Sequence, residues 1–118
     1  MLRRTNRFHG YNSLSFVYRK GSTVRVEDMS LRYHINSKRT TYRAAVVVGR
    51  KVHKSAVVRN RIRRRVFEQL RLQLQTLDQA YDIVVTVHTD KVATMPATEL
   101  AEHISQLLRQ ASIINSKT

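Results

Sequence analysis

The period of the hydrophobic positions changes along the chain, and each change marks an element. Leu31-Arg32-Tyr33-His34-Ile35 alternates apolar and polar residues, the pattern of a half-buried strand. Thr23 to Val26 is short and β-branched, a weak strand ahead of it. Asn36 to Thr40 supplies turn chemistry, and Tyr42 to Val48 then runs almost continuously apolar to Gly49, which predicts a central strand. From about Ser55 to Gln75 the period becomes helical. Val58, Ile62, Val66, Leu70 and Leu74 recur every fourth residue, with Phe67 and Leu77 alongside. Ile83 to Val87, introduced by Tyr81-Asp82, is a further β-branched strand. Thr94, Pro96 and Glu99 open a last helix that carries Leu100, Ile104, Leu107, Leu108 and Ala111 at helical spacing. Near the N-terminus Asn12 can cap a short helix with Leu14, Val17 and Tyr18 on one face and Gly21 at its end.

The predicted order is therefore α-β-β-β-α-β-α, without an internal repeat. A strand, a long helix and a second strand imply a crossover with parallel pairing. The fold class expected is α+β, a two-layer sandwich with one sheet and its helices largely on one face. At 118 residues the chain has length for one core. Residues 1–118 read as a single domain with a basic lead-in over 1–10 and a polar tail over 115–118. The absence of cysteine removes disulfides, thiol catalysis and zinc ribbons from consideration. The longest apolar run, Ala44 to Val48, is far short of a membrane span. A cytoplasmic location and no membrane partner are expected.

Charge changes the picture most. The formal net charge is +14, and Arg outnumbers Lys by 16 to 6. Residues 1–71 hold 19 of the 22 basic groups and three acids, a net +16, whereas residues 72–118 carry a net −2. Such asymmetry is costly in self-repulsion unless a polyanion is the normal partner. Arginine suits nucleic acid, since its planar fork fits phosphate oxygens and its face stacks on unpaired bases.

The densest cluster is Arg50-Lys51, then Lys54, then Arg59-Asn60-Arg61-Ile62-Arg63-Arg64-Arg65 at the start of the long helix. Helical spacing sets Arg61 beside Arg64 and Arg65, and Arg59 beside Arg63, so like charges repel along the helix. The helix dipole disfavours cations at this end as well, and binding phosphate would offset both penalties. Asn60 adds a neutral donor and acceptor. On a helical wheel Asn60, Arg61, Arg64, Arg65 and Arg71 oppose the apolar face, but Arg59 and Arg63 fall within it. Either the first turns project beyond the core, or these two stems lie along its edge with their charged heads outside.

Arg43-Ala44-Ala45-Val46-Val47-Val48-Gly49-Arg50-Lys51, followed by Ala56, Arg59-Asn60-Arg61-Ile62-Arg63-Arg64 and Glu68, resembles the bacterial ribonuclease P protein subunit. The Arg-Asn-Arg motif on a basic helix start carries the resemblance, which is densest from Arg43 to Arg71. It implies a ribosomal protein S5 domain 2-like fold with a left-handed strand–helix–strand crossover. It also implies a role in removing the 5′ leader of precursor tRNA, with Mg²⁺-dependent bond chemistry carried by the partner ribonuclease P RNA. The RNA-binding residues implied are Arg50, Lys51, Lys54, Arg59, Asn60, Arg61, Arg63, Arg64 and Arg65. Leu14, Tyr18 and Tyr33 would line a cleft for the single-stranded leader. The chain departs from the family's pattern at Leu14 (usually Phe), Ala45 (usually Gly), Arg50 (usually Lys) and Phe67 (usually basic).

No catalytic constellation is legible in the polypeptide itself. Asp78, Asp82, Asp90, Glu99 and Glu102 lie away from the basic cluster, and the five histidines lack ligand spacing. No metal ligand, tightly bound cofactor or small-molecule substrate is expected. The competing readings are a small structural ribosomal protein, an independent nuclease and a DNA-binding module.

Overall fold

The two most apolar strands of the chain lie side by side. The computed structural model describes residues 21–35, 41–75, 77 and 79–113. Strands β1 (Ser22–Arg25), β2 (Met29–Ile35), β3 (Arg43–Val48) and β4 (Tyr81–Val87) form one sheet in the order β1-β2-β4-β3. β3 and β4 pair in parallel, with Arg43 opposite Asp82 and Val48 opposite Val87. β2 runs antiparallel to both β1 and β4. Helix α1 (Ala56–Leu74) makes the crossover from β3 to β4, and α2 (Ala97–Gln110) follows β4 after a 3₁₀ turn at Asp90–Ala93. The spacing of apolar residues gives no signal for that turn. The predicted N-terminal helix, with Leu14 and Tyr18, lies outside the described residues.

One face of the sheet holds the main core. Met29 and Leu31 from β2, Ala44, Val46 and Val48 from β3, and Ile83, Val85 and Val87 from β4 meet the apolar sides of both helices there. The long helix contributes Ile62, Val66, Phe67, Leu70 and Leu74, all buried, and α2 contributes Leu100, Ile104, Leu107 and Leu108. Each such side chain contributes about 1.5–3 kcal/mol by leaving water. The row of period four thus forms as expected, with Val58 only partly buried at its start.

One expectation is corrected. The apolar run of β3 predicted a central strand, yet β3 stands at the sheet edge and β2 and β4 are central. Continuous apolarity reports that both faces of a strand are covered, and it carries no information about lateral neighbours. On the face away from the two helices, Ala45 and Val84 are buried with Val47 packed against them.

At the head of the parallel pair, Arg43 Nε and Nη2 donate to the two carboxylate oxygens of Asp82 at 2.9 and 2.8 Å. Asp82 is only 2% exposed, so this bidentate pair is sealed from solvent on the carboxylate side. The C-terminus of α2 is closed by Ile113 N–H donating to Leu108 O (2.9 Å) and Ser112 N–H to Arg109 O (3.0 Å). Ser112 accordingly sits at φ 59°, the left-handed region in which glycine is unstrained.

Asp82→Ala leaves the Arg43 guanidinium facing a buried gap and should cost about 3–5 kcal/mol of stability in urea denaturation. Ser112→Gly should act in the opposite direction, raising stability by up to about 1 kcal/mol in the same assay.

Candidate nucleic-acid interface

The basic cluster is assembled where β3 hands over to α1. Gly49 O accepts from Val52 N–H at 3.0 Å, closing a tight turn with Arg50 and Lys51 exposed on it. Ser55 caps the helix, its hydroxyl accepting from Val58 N–H at 3.4 Å. His53 supports the cap from outside, because its Nδ1 accepts from the Ser55 N–H at 3.0 Å. That bond requires an imidazole unprotonated at Nδ1.

The structure resolves the ambiguity of the helical wheel in favour of stems lying along the core edge. Arg59 Nη1 donates to His53 O (2.9 Å) and Lys54 O (3.0 Å), the carbonyls of its own approach loop. Arg63 donates to Asn60 Oδ1 (2.6 Å) and reaches Val48 O (3.4 Å) at the end of β3. Arg65 donates to Val92 O (2.6 Å) and to Met95 O, holding α1 to the segment before α2. No acidic residue occupies the first turn of α1. Backbone carbonyls instead supply the negative poles that Arg59, Arg63 and Arg65 need.

The remaining cations are different. Arg50, Lys51, Lys54, Arg61 and Arg64 are exposed, and their side chains have no hydrogen-bonding or ion-pair partner among the described residues. Nine predicted contact residues therefore divide into two groups. Five present unpaired charge, and Arg59, Asn60, Arg63 and Arg65 are joined to the fold, with donor capacity left over on each guanidinium. Val57, 68% exposed, gives the first turn of α1 an apolar spot among these charges. Phe67, which stands where the resembling family is usually basic, is a core residue here, and Ala45 is buried beneath the sheet.

Sequence reasoning missed the groove beside this surface. Arg61, Arg64, Arg65, Glu68 and Gln69 form a stripe at spacings of three and four residues along α1, and Ala97 and Leu100 of α2 face it across a cavity of about 410 Å³. Arg71 donates to both oxygens of Glu68 (3.2 and 2.5 Å), and these bonds hold its carboxyl below the usual carboxylate range. The signal was present as an Arg61/Arg64/Gln69 stripe, but its partner across the groove lies about thirty residues on, beyond any local pattern.

A second cavity of about 330 Å³ gathers Glu27, Asp28 and Glu99 with Lys91 and His103. His103 Nδ1 lies 3.1 Å from Asp28 Oδ2, linking the β1–β2 turn to α2. Of the five acids singled out in the sequence, Glu99 alone among the described residues lines this cavity. Among the described residues no three His, Asp or Glu side chains converge as a metal-binding set. Among the same residues no helix is long and apolar enough to cross a membrane.

Of the three leader-cleft residues, only Tyr33 is described. It packs against the main core on the side of both helices, its ring 6.4 Å from that of Tyr81. Its strand neighbours Arg32 and His34 belong to the opposite face, as strand alternation requires. That face also carries Ser30, whose Oγ lies 3.0 Å from His88 Nε2. Burial, and then the charge of Arg25, push the His88 imidazole below its usual range.

Adjacent arginines should separate cleanly in mutagenesis. Arg65→Ala removes two bonds to buried-side carbonyls and should lower stability by about 1–2 kcal/mol. Arg61→Ala and Arg64→Ala should stay within about 0.5 kcal/mol of the unaltered protein. Urea denaturation of the three variants checks this.

Comparison with known proteins places the arrangement. The family model for ribonuclease P matches residues 2–112. The ribonuclease P protein component of Chloroflexus aurantiacus is 45% identical over 82 residues, which cover 70% of this chain and 60% of that protein. The matched stretch is thus under two thirds of that relative's length. The corresponding protein of a Pseudanabaena species is 35% identical over 116 residues, 98% of both chains. Among solved structures, the Staphylococcus aureus RNase P protein superposes with a TM-score of 0.82 at 22% identity, covering 93% of this chain and 98% of that one. The Thermotoga maritima RNase P protein gives 0.77 at 21% identity, covering 88% and 96%. The fold is accordingly the S5 domain 2-like α+β sandwich, and the match removes the ribosomal-protein reading. The chain belongs to the ribonuclease P protein family.

Proposed function

We propose that this protein is the RNA-binding protein subunit of a ribonuclease P holoenzyme, in which a partner RNA and its Mg²⁺ ions carry out 5′ maturation of precursor tRNA. The observation that carries the reading is the division among the arginines. In a chain of this family, Arg61 and Arg64 remain unpaired and exposed beside a loop bearing Arg50, Lys51 and Lys54. Five exposed cations without partners among the described residues can neutralise phosphates and release their counterions. Arg59, Arg63 and Arg65 hold the platform on which those cations stand, and each keeps unused donors for the same RNA.

The protein contributes binding rather than bond cleavage. Screening the repulsion between two RNAs lowers the Mg²⁺ concentration that the assembly needs. Contacts to the 5′ leader, assigned by family resemblance to Leu14, Tyr18 and Tyr33, would be made by precursor and lost with the leader. Such differential binding favours substrate over product. Mg²⁺ belongs to the RNA in this reading, and the site of action is the cytoplasm.

The experiment is 5′ processing of a precursor tRNA by ribonuclease P RNA at low Mg²⁺, with and without this protein. Strong stimulation is expected, with no cleavage by the protein alone. Equal rates with and without the protein would overturn the proposal, and metal-dependent cleavage by the RNA-free protein would replace it with an independent nuclease.

A further inference from the structure

We infer that the groove between α1 and the first turn of α2 is a pocket for one unpaired nucleotide of the bound RNA. The inference rests on the RNA-binding reading above and goes beyond it by assigning residues outside the Arg-Asn-Arg cluster. Its volume, about 410 Å³, falls within the usual span of small-ligand sites, about 300–1,000 Å³. The lining is graded along its length. Arg61 and Arg64 are exposed and unpaired at one end, which suits a phosphate. Ala97, which is exposed, gives the groove an apolar side that a phosphate alone would not use, and the buried Leu100 also lines it.

The other end is built for a base. Arg65 is held by two backbone carbonyls, so its guanidinium is a fixed planar group and loses little freedom when a ring stacks on it. Gln69 lines the groove with an amide that has no partner among the described residues, a donor and an acceptor for a base edge. Glu68 is an acceptor kept ionised by Arg71 and repels phosphate, so the nucleotide is oriented with its backbone toward Arg61 and Arg64. A protein segment fits the same space less well, because two unpaired arginines at its mouth call for an anion rather than a peptide backbone. Base-paired RNA cannot enter, since its bases are turned into the duplex.

The test pairs a bulky substitution with base removal. Ala97 is exposed, and Ala97→Phe fills the groove without altering charge or core. Affinity for ribonuclease P RNA should fall about tenfold, the scale of one lost stacking contact. The slope of log K against log salt should be unchanged, whereas Arg61→Ala should flatten it by about one. Gln69→Ala, which adds no bulk, should weaken binding in the same sense by a few fold, and a thermal melt of each variant reads its folding. In a set of RNAs with single abasic positions, one position should weaken the unaltered protein and have no effect with Ala97→Phe. Unchanged affinity of a folded Ala97→Phe variant overturns the inference, as does weakened binding with no coupled abasic position. If the unaltered protein fails to bind the RNA at all, the functional reading itself falls.

Discussion

Parallel pairing of β3 with β4 is the constraint on which the rest of the structure depends. Parallel neighbours cannot be joined by a tight turn, so the chain must cross the sheet and come back. Helix α1 is that crossover, and its apolar row must lie on the sheet to bury both strands. This places the N-terminus of α1 at the C-terminal end of β3 and nowhere else. The cations on the intervening turn and those on the first turns of the helix are therefore gathered by topology. The Arg43–Asp82 pair closes the opposite end of the same two strands, so the pairing is anchored at one end by charge and continued by apolar burial.

Gathering so many arginines creates a problem of repulsion, and the fold distributes it among backbone carbonyls. A carbonyl oxygen at an unfinished turn has lone pairs to spare, and a guanidinium has five donors in a fixed fork. Arg59 takes two carbonyls of the approach loop and Arg65 takes two of the segment before α2, while Arg63 reaches back to the strand end. These contacts use cations as structural links in places where acids would weaken attraction for a polyanion. Only Glu68, tied to Arg71, adds negative charge along this stretch of α1.

Much of this organisation was legible in residues alone. The row from Ile62 to Leu74 gave the crossover helix and its buried side, and Ser55 marked its cap. The Arg-Asn-Arg run carried the resemblance to the family that the comparisons show. Position within the sheet was not legible, because the apolarity of β3 records burial on both of its faces, Ala44, Val46 and Val48 toward the helices and Ala45 on the other side, rather than lateral pairing. The face of Tyr33 was legible, since it shares parity with Met29 and Leu31 on the core side of β2. The groove was not, since Ala97 and Leu100 are remote in sequence from Arg61 and Gln69.

Rigidity explains why some arginines would be committed internally on a surface proposed to bind RNA. A flexible cation surrenders rotamer freedom on every contact it makes, and that loss subtracts from affinity. A platform whose turn, cap and helix start are already joined by Arg59 and Arg63 has lost its freedom during folding. On the proposed reading, the exposed Arg61 and Arg64 would differ from the others in timing, becoming ordered when RNA binds. Truncating a platform arginine should consequently loosen the geometry of every contact beside it, whereas truncating an exposed one removes a single contact. The same residue type in one seven-residue run thus serves stability and recognition, and the carbonyls within reach of each position decide which.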